Sequence, residues 1–130
     1  RLLPNTEIVY VKARNVSVAR TGLTERQAKD MGFDAAAAVI EGKDRVATYP
    51  GARPIYVKLV AERGTGRLLG GQVAGHDPLA VSGRIDVVAA ALTRRMDVEA
   101  FSYLDLSYAP PFAPVWDPLL VAANVLQRDL

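Results

Sequence analysis

The chain holds 130 residues, half of them hydrophobic and 23% charged, with a formal charge of only +2. This is the profile of one soluble globular domain long enough to bury its own core. It has no cysteine, which excludes disulfides, thiolate metal sites and a cysteine nucleophile within it, while scattered cations, no apolar run of bilayer length and no signal-peptide pattern leave no pointer to nucleic acid or a membrane.

Pro4 and Asn5 precede two short β-branched runs, Ile8–Val11 and Val16–Val18, the pattern of one or two edge strands. Leu23–Met31 reads as a short helix. Thr24 followed by Gln27 is a capping-box pattern, Gly32 stands where a helix stop belongs, and Leu23, Ala28 and Met31 give it one buried side. Phe33–Glu41 contains the run Ala35–Ala38, which propensity calls helix. Gly32 and Gly42 leave room for only about two turns, and Val39 and Ile40 favour strand, so a strand is expected. Asp44–Tyr49 reads as a further strand closed by Pro50 and Gly51.

Pro54–Glu62 has the clearest strand pattern: Ile55, Val57, Leu59 and Ala61 alternate with Tyr56, Lys58, Val60 and Glu62. Arg63–Gly66 supplies turn chemistry and Arg67–Ala74 returns as the hairpin partner. Gly70 and Gly71 weaken that partner, which implies that another element packs close against them. Asp77 and Pro78 form a helix start, with Asp as N-cap and Pro at the first helical position. Val81, Ile85, Val88, Leu92 and Met96 then make one apolar stripe, so this helix lies on a core. Asp97–Tyr103 reads as a further helical turn.

Tyr103–Pro118 holds four of the chain's eight prolines, its only tryptophan and two of its five tyrosines. Pro110, Pro111 and Pro114 exclude a helix or central strand there. A stiff aromatic loop remains. It is either a contact surface, since little entropy is lost on docking, or a connector that packs Phe112 and Trp116 on its own core. Asp117 and Pro118 repeat the helix-start signal. Leu119, Leu120, Ala123, Val125 and Leu126 make the last helix apolar on more than one side, so it packs on its sheet and on a second surface, for which a partner subunit is one candidate. The sum is an α+β domain: an antiparallel sheet of four to five strands with helices packed on one face.

Few constellations carry chemistry. His76 is the sole histidine and reads as a surface loop residue rather than a metal ligand. Gly64–Gly66 and Gly70–Gly71 match neither a P-loop nor a dinucleotide fingerprint. Arg45, Tyr49, Arg53, Tyr56 and Lys58 interleave cations with aromatics, but at this net charge they make a poor nucleic-acid platform. Tyr49 before Pro50–Gly51 and Tyr108 before Ala109–Pro110–Pro111 sit where regular structure gives way to fixed turns. Either both are ordinary boundary tyrosines, or their phenols are aimed outward to donate a hydrogen bond or a proton.

Thr21–Glu25 with Ala28, Tyr49–Ala52 with Lys58 and Leu59, Gly70–Gly75 with Arg84–Asp86, and Tyr108–Phe112 followed by Trp116–Pro118 occur in this order. Together, from about Val18 to Val125, they resemble the C-terminal dimerisation domain of FAD-dependent pyridine nucleotide-disulfide oxidoreductases. The branch resembled is that of coenzyme A-disulfide reductases and related NADH oxidases. The glutathione-reductase branch carries a histidine-glutamate pair near its C-terminus, and no histidine follows Pro114 here.

The resemblance implies a cytoplasmic homodimeric flavoprotein in which FAD, NAD(P)H and a redox cysteine belong to other domains. Residues 1–130 would then be a fragment that binds no cofactor and is inactive alone. Tyr49 and Tyr108 would be catalytic, reaching the partner's flavin and cysteine site to bind or protonate the sulfur leaving group of a coenzyme A disulfide. Pro110, Pro111, Phe112 and Trp116 would line the dimer interface. A tyrosine pair before the proline, common in that family, is replaced here by Thr48–Tyr49, and Lys43 and Arg45 near it have no assigned role. A stand-alone interaction domain of the same fold is the alternative.

Overall fold

The structure is a computed structural model and describes residues 7–130. The first two β-branched runs form a hairpin of β1 (Val9–Ala13) and β2 (Val16–Gly22); Pro4 and Asn5, expected to lead into it, lie outside the described residues. There follow α1 (Glu25–Asp30), β3 (Ala35–Lys43), β4 (Pro54–Glu62), β5 (Leu68–Gly75), α2 (Pro78–Thr93), α3 (Val98–Ser102) and α4 (Pro118–Gln127). The strands make one five-stranded antiparallel sheet in the order β1-β2-β5-β4-β3, an α+β fold as the patterning implies.

The alternation along β4 sorts its residues between faces. Ile55, Val57, Leu59 and Ala61 are fully buried with Val73, Val81, Ile85 and Val88 in the main core. That core lies between the sheet and α2, α3 and α4. On the opposite face, α1 covers one corner, where Leu23, Ala28, Phe33, Ala35, Val60 and Leu69 form a small second core. α1 starts where its sequence pattern places it. Thr24 Oγ1 accepts from the Gln27 N–H at 3.1 Å and Gln27 Oε1 accepts from the Thr24 N–H at 3.0 Å, a reciprocal cap.

The alanine run is strand, as the flanking glycines imply. Its helix propensity is overridden because Ala36 and Ala38 lie buried in the core, paired with Ala61 and Leu59 of β4, and their small side chains admit α4. The glycine pair in β5 is likewise explained by close packing. A Cβ on Gly71 would lie 2.8 Å from Val88 Cγ1 on α2, and one on Gly70 would collide with the Leu23 carbonyl.

Asp44–Tyr49 is not a strand, contrary to the sequence reading. β3 ends at Lys43, paired with Pro54, and residues 44–53 are bends and turns. The Asp44 N–H donates to the Arg53 carbonyl at 3.0 Å, and Asp44 Oδ1 accepts from the Arg53 N–H at 3.1 Å and Arg45 Nε at 3.0 Å. These bonds close the loop one step past the last ladder pair, and β3, at the sheet edge, offers no further strand to pair with. The second surface of α4 is supplied by α3 of the same chain. Its apolar sides are buried by β3, β4 and α3 of the same chain, with Leu119, Ala122, Ala123 and Leu126 fully enclosed.

Candidate functional site

Tyr49 sits on the β3–β4 loop. Pro50 and Gly51 follow it, Gly51 has φ +84°, and the Ala52 N–H donates to the Tyr49 carbonyl at 3.2 Å. This is the signature of a type II turn, in which only glycine readily takes the third position. The Tyr49 N–H donates in turn to the Val46 carbonyl at 2.8 Å. The backbone on both sides of the tyrosine is therefore held, and the side chain is exposed.

Tyr108 opens the second loop. The Phe112 and Ala113 N–H groups both donate to the Ala109 carbonyl, at 2.9 and 3.0 Å, wrapping Pro110 and Pro111 into a tight turn. Ala113 is buried, but Tyr108, Phe112, Val115 and Trp116 are exposed, the last three by 63–70%. Of the two readings of this loop, the connector packed on its own core is ruled out: Phe112 and Trp116 present their apolar area outward, as does Tyr103.

The two loops, remote in sequence, touch. The Val46 N–H donates to the Pro110 carbonyl at 3.2 Å. Beneath them lies Arg84 of α2, 6% exposed. Its Nε and Nη2 engage Asp117 at 3.3 and 3.2 Å, Nη2 also donates to the Asp44 carbonyl at 3.2 Å, and Nη1 donates to the Ala80 carbonyl at 3.1 Å. One buried guanidinium thus ties the first residue of the Tyr49 loop to the residue that ends the Tyr108 loop. Asp117 is itself the N-cap of α4, accepting from the Leu119 N–H at 2.9 Å. Arg84 was missed in the sequence as a site organiser. The signal was present, because Arg84 falls three residues after Val81 and four before Val88, on the buried stripe, where a charge requires a partner.

Arg45 links the Tyr49 loop to α2. It donates to Asp44 through Nε at 3.0 Å and to Asp77 through Nη2 at 3.0 Å. Its hydrogen bond to the Asp44 carboxylate raises its pKa above the ordinary arginine value, opposed by desolvation and reinforced by the Asp44 and Asp77 charges.

The arrangement offers hydrogen-bond donors and apolar surface. Among the described residues no cluster suited to a metal ion occurs, and His76 is an exposed loop residue whose Nδ1 lies 3.0 Å from the Asn15 carbonyl oxygen. Gly70 and Gly71 leave no room for a pyrophosphate, since they are pressed against Leu23 and Val88. The two loops turn Tyr49, Tyr108, Phe112 and Trp116 outward.

The family model for the pyridine nucleotide-disulphide oxidoreductase dimerisation domain matches residues 8–119. The chain belongs to that family. It is 47% identical over 116 residues to the NAD(P)H coenzyme A polysulfide/persulfide reductase of Pyrococcus horikoshii, covering 89% of this chain and 25% of that protein. It is 30% identical over 113 residues to the NADH oxidase of Enterococcus faecalis, covering 87% of this chain and 25% of that protein. In structure it matches the NAD-dependent persulfide reductase from A. fulgidus with a TM-score of 0.89 and 33% identity, over 96% of this chain and 23% of that one. The chain spans about a quarter of the length of the relatives it matches. No helix among the described residues is long and apolar enough to cross a membrane.

Proposed function

We propose that this chain is the self-associating part of an FAD- and NAD(P)H-dependent disulfide reductase acting on coenzyme A disulfide or a related persulfide, and that Tyr49 and Tyr108 serve the partner's site. The observation that carries this is the juxtaposition of two loops, each with an exposed phenol, locked by the Val46–Pro110 bond and the Arg84 strut. Two phenols fixed on rigid turns are preorganised donors, and preorganisation is what a developing thiolate needs. FAD, NAD(P)H and a redox cysteine, held by other domains of the parent, supply the electrons and the attacking sulfur. This chain's part is to donate hydrogen bonds or a proton to the departing sulfur, which leaves faster as its charge is stabilised. Pro110, Pro111, Phe112 and Trp116 lie in the apolar surface that meets the second copy, with Phe112 and Trp116 its exposed aromatics.

The names of similar proteins support the coenzyme A and persulfide chemistry, three of them coenzyme A-linked reductases at 43–47% identity. An oxidase is the second reading, favoured by the NADH oxidases among the relatives. In the full-length protein, Tyr49→Phe and Tyr108→Phe should each slow disulfide turnover about 10- to 100-fold, the equivalent of one hydrogen bond to a charged group. Flavin reduction by NAD(P)H, followed by stopped-flow absorbance, should keep its rate. Wild-type turnover in both variants would remove the phenols from the mechanism.

A further inference from the structure

Arg84 interrupts an apolar stripe. Val81, Ile85 and Val88 beside it on α2 are buried in the main core, and Arg84 is buried with them. Stability does not call for a charge there, because exchanging a buried ion pair for uncharged residues of similar size is often neutral or stabilising. The cap of α4 does not call for it either. Asp77 caps α2 through the same bond with its carboxylate partly in solvent.

What the arginine supplies is geometry. Its planar fork points three ways. Nε and Nη2 face the two oxygens of the Asp117 carboxylate, at 3.3 and 3.2 Å. Nη2 also donates to the Asp44 carbonyl, and Nη1 donates to the Ala80 carbonyl one turn back on α2. That last bond pins the guanidinium to the helix that carries it, and this helix runs for 16 residues along the sheet. Each group it holds is fixed again on its far side. The Asp44 carboxylate accepts from Arg45 and from the Arg53 N–H, closing the Tyr49 loop. The Asp117 carbonyl accepts from the Leu120 and Val121 N–H groups as α4 begins. Arg84 therefore spans, from a rigid base, the same gap that the Val46–Pro110 bond crosses above it.

We propose that Arg84 is a positioning residue: its buried fork sets the loop of residues 44–53 and the loop of residues 108–117 in one register, so that the Tyr49 and Tyr108 phenols act as a single unit. The inference rests on the role given to those phenols above and adds what couples them. A displacement of about 1 Å in a positioned group can cost about 100-fold in rate, so two phenols on separate loops need a common anchor. Arginine is the residue for this task. A lysine ammonium could balance the Asp117 charge, but it lacks the fork that reaches Asp117, Asp44 and Ala80 together.

The test compares the full-length protein with Arg84→Lys and with the double variant Arg84→Met/Asp117→Asn. The double variant removes both buried charges and keeps a capping side chain on α4. Each is also combined with Tyr49→Phe and with Tyr108→Phe. Turnover of the disulfide is measured per flavin reducible by NAD(P)H, so that unfolded enzyme does not count. Arg84→Lys and the double variant should each lower kcat about 10- to 100-fold with KM little changed. Adding either phenol substitution should then cost less than about threefold, because a unit already out of place has little left to lose. Amide hydrogen exchange gives a readout independent of turnover. The Val46 N–H, bonded across the loops, should exchange about tenfold faster in both variants, while the Tyr49 and Phe112 N–H groups, bonded within their own loops, keep their rates. Wild-type kcat in Arg84→Lys would reduce Arg84 to a charge partner for Asp117 and overturn the inference, leaving the phenols' role intact. Phenol effects that multiply in full on the double variant, or equal acceleration of all three amides, would overturn it too. Wild-type turnover in Tyr49→Phe and Tyr108→Phe alone would sink the phenols' role, and faster exchange at Val46 would then make Arg84 a structural tie only.

Discussion

Two helices in this domain start with the same dipeptide. Asp77–Pro78 opens α2 and Asp117–Pro118 opens α4, and in each the aspartate Oδ1 accepts from the N–H two residues on, at 2.9 Å. Locally they are one motif. Their surroundings differ. Asp77 lies partly in solvent and shares Arg45, whereas Asp117 is 6% exposed and faces the equally buried Arg84. The same cap is thus a local start signal in one place and half of a buried ion pair in the other. What separates them is the dielectric around the charge rather than the bond made.

That contrast can be tested in order of expected effect. Asp117→Ala should be the most damaging. It removes a cap worth about 1 kcal/mol and leaves Arg84 buried without its carboxylate, which costs about 3–5 kcal/mol. Urea denaturation of the domain should show a large drop in midpoint, and a loss near 1 kcal/mol would mean that the pair contributes only its cap.

Arg45→Gln should come next, at about 1–3 kcal/mol, because it strips the buried Asp44 carboxylate of its charged partner while leaving the Arg53 N–H in place. Asp77→Ala should lose about 1 kcal/mol, the cap alone, since a partly exposed pair adds little. Equal losses for Asp77→Ala and Asp117→Ala would erase the contrast.

The weakest case is Glu25, half-buried on α1, paired with Lys29 at 3.0 Å and Lys58 at 3.2 Å. Its pKa is lowered, first by the hydrogen bond from Lys29 and then by that from Lys58. A depressed carboxyl stabilises the fold fully above the ordinary carboxylate range and loses that contribution as pH falls through its lowered value. Glu25→Gln should therefore reduce stability at neutral pH by a few tenths of a kcal/mol after solvent screening. The difference from wild type should vanish in acid, as measured by thermal melts at pH 7 and below pH 3.

Much of the fold was legible because its signals are local. The reciprocal bonds of Thr24 and Gln27, the alternation of β4 and both Asp–Pro starts need only neighbours in sequence, and each appears where the pattern placed it. The strand expected at Asp44–Tyr49 failed for the opposite reason. Its β-branched residues had no strand to pair with, and Asp44 used its hydrogen bonds to close a loop on Arg53. What packs on the second side of α4 was not legible either, since α3, which lies there, is defined by only five residues.

The candidate site divides along the same line. The sequence by itself placed Tyr49 before a Pro–Gly turn and Tyr108 before a double proline, because φ restrictions act within a few residues. It also showed that the Tyr108 loop cannot be helix or central strand. Only the tertiary structure brought the loops together through Val46 and Pro110, buried Arg84 beneath them, and turned Phe112 and Trp116 outward. Those are matters of burial and of charge meeting charge across long stretches of chain, and they exist only once the sheet has fixed which segments are neighbours.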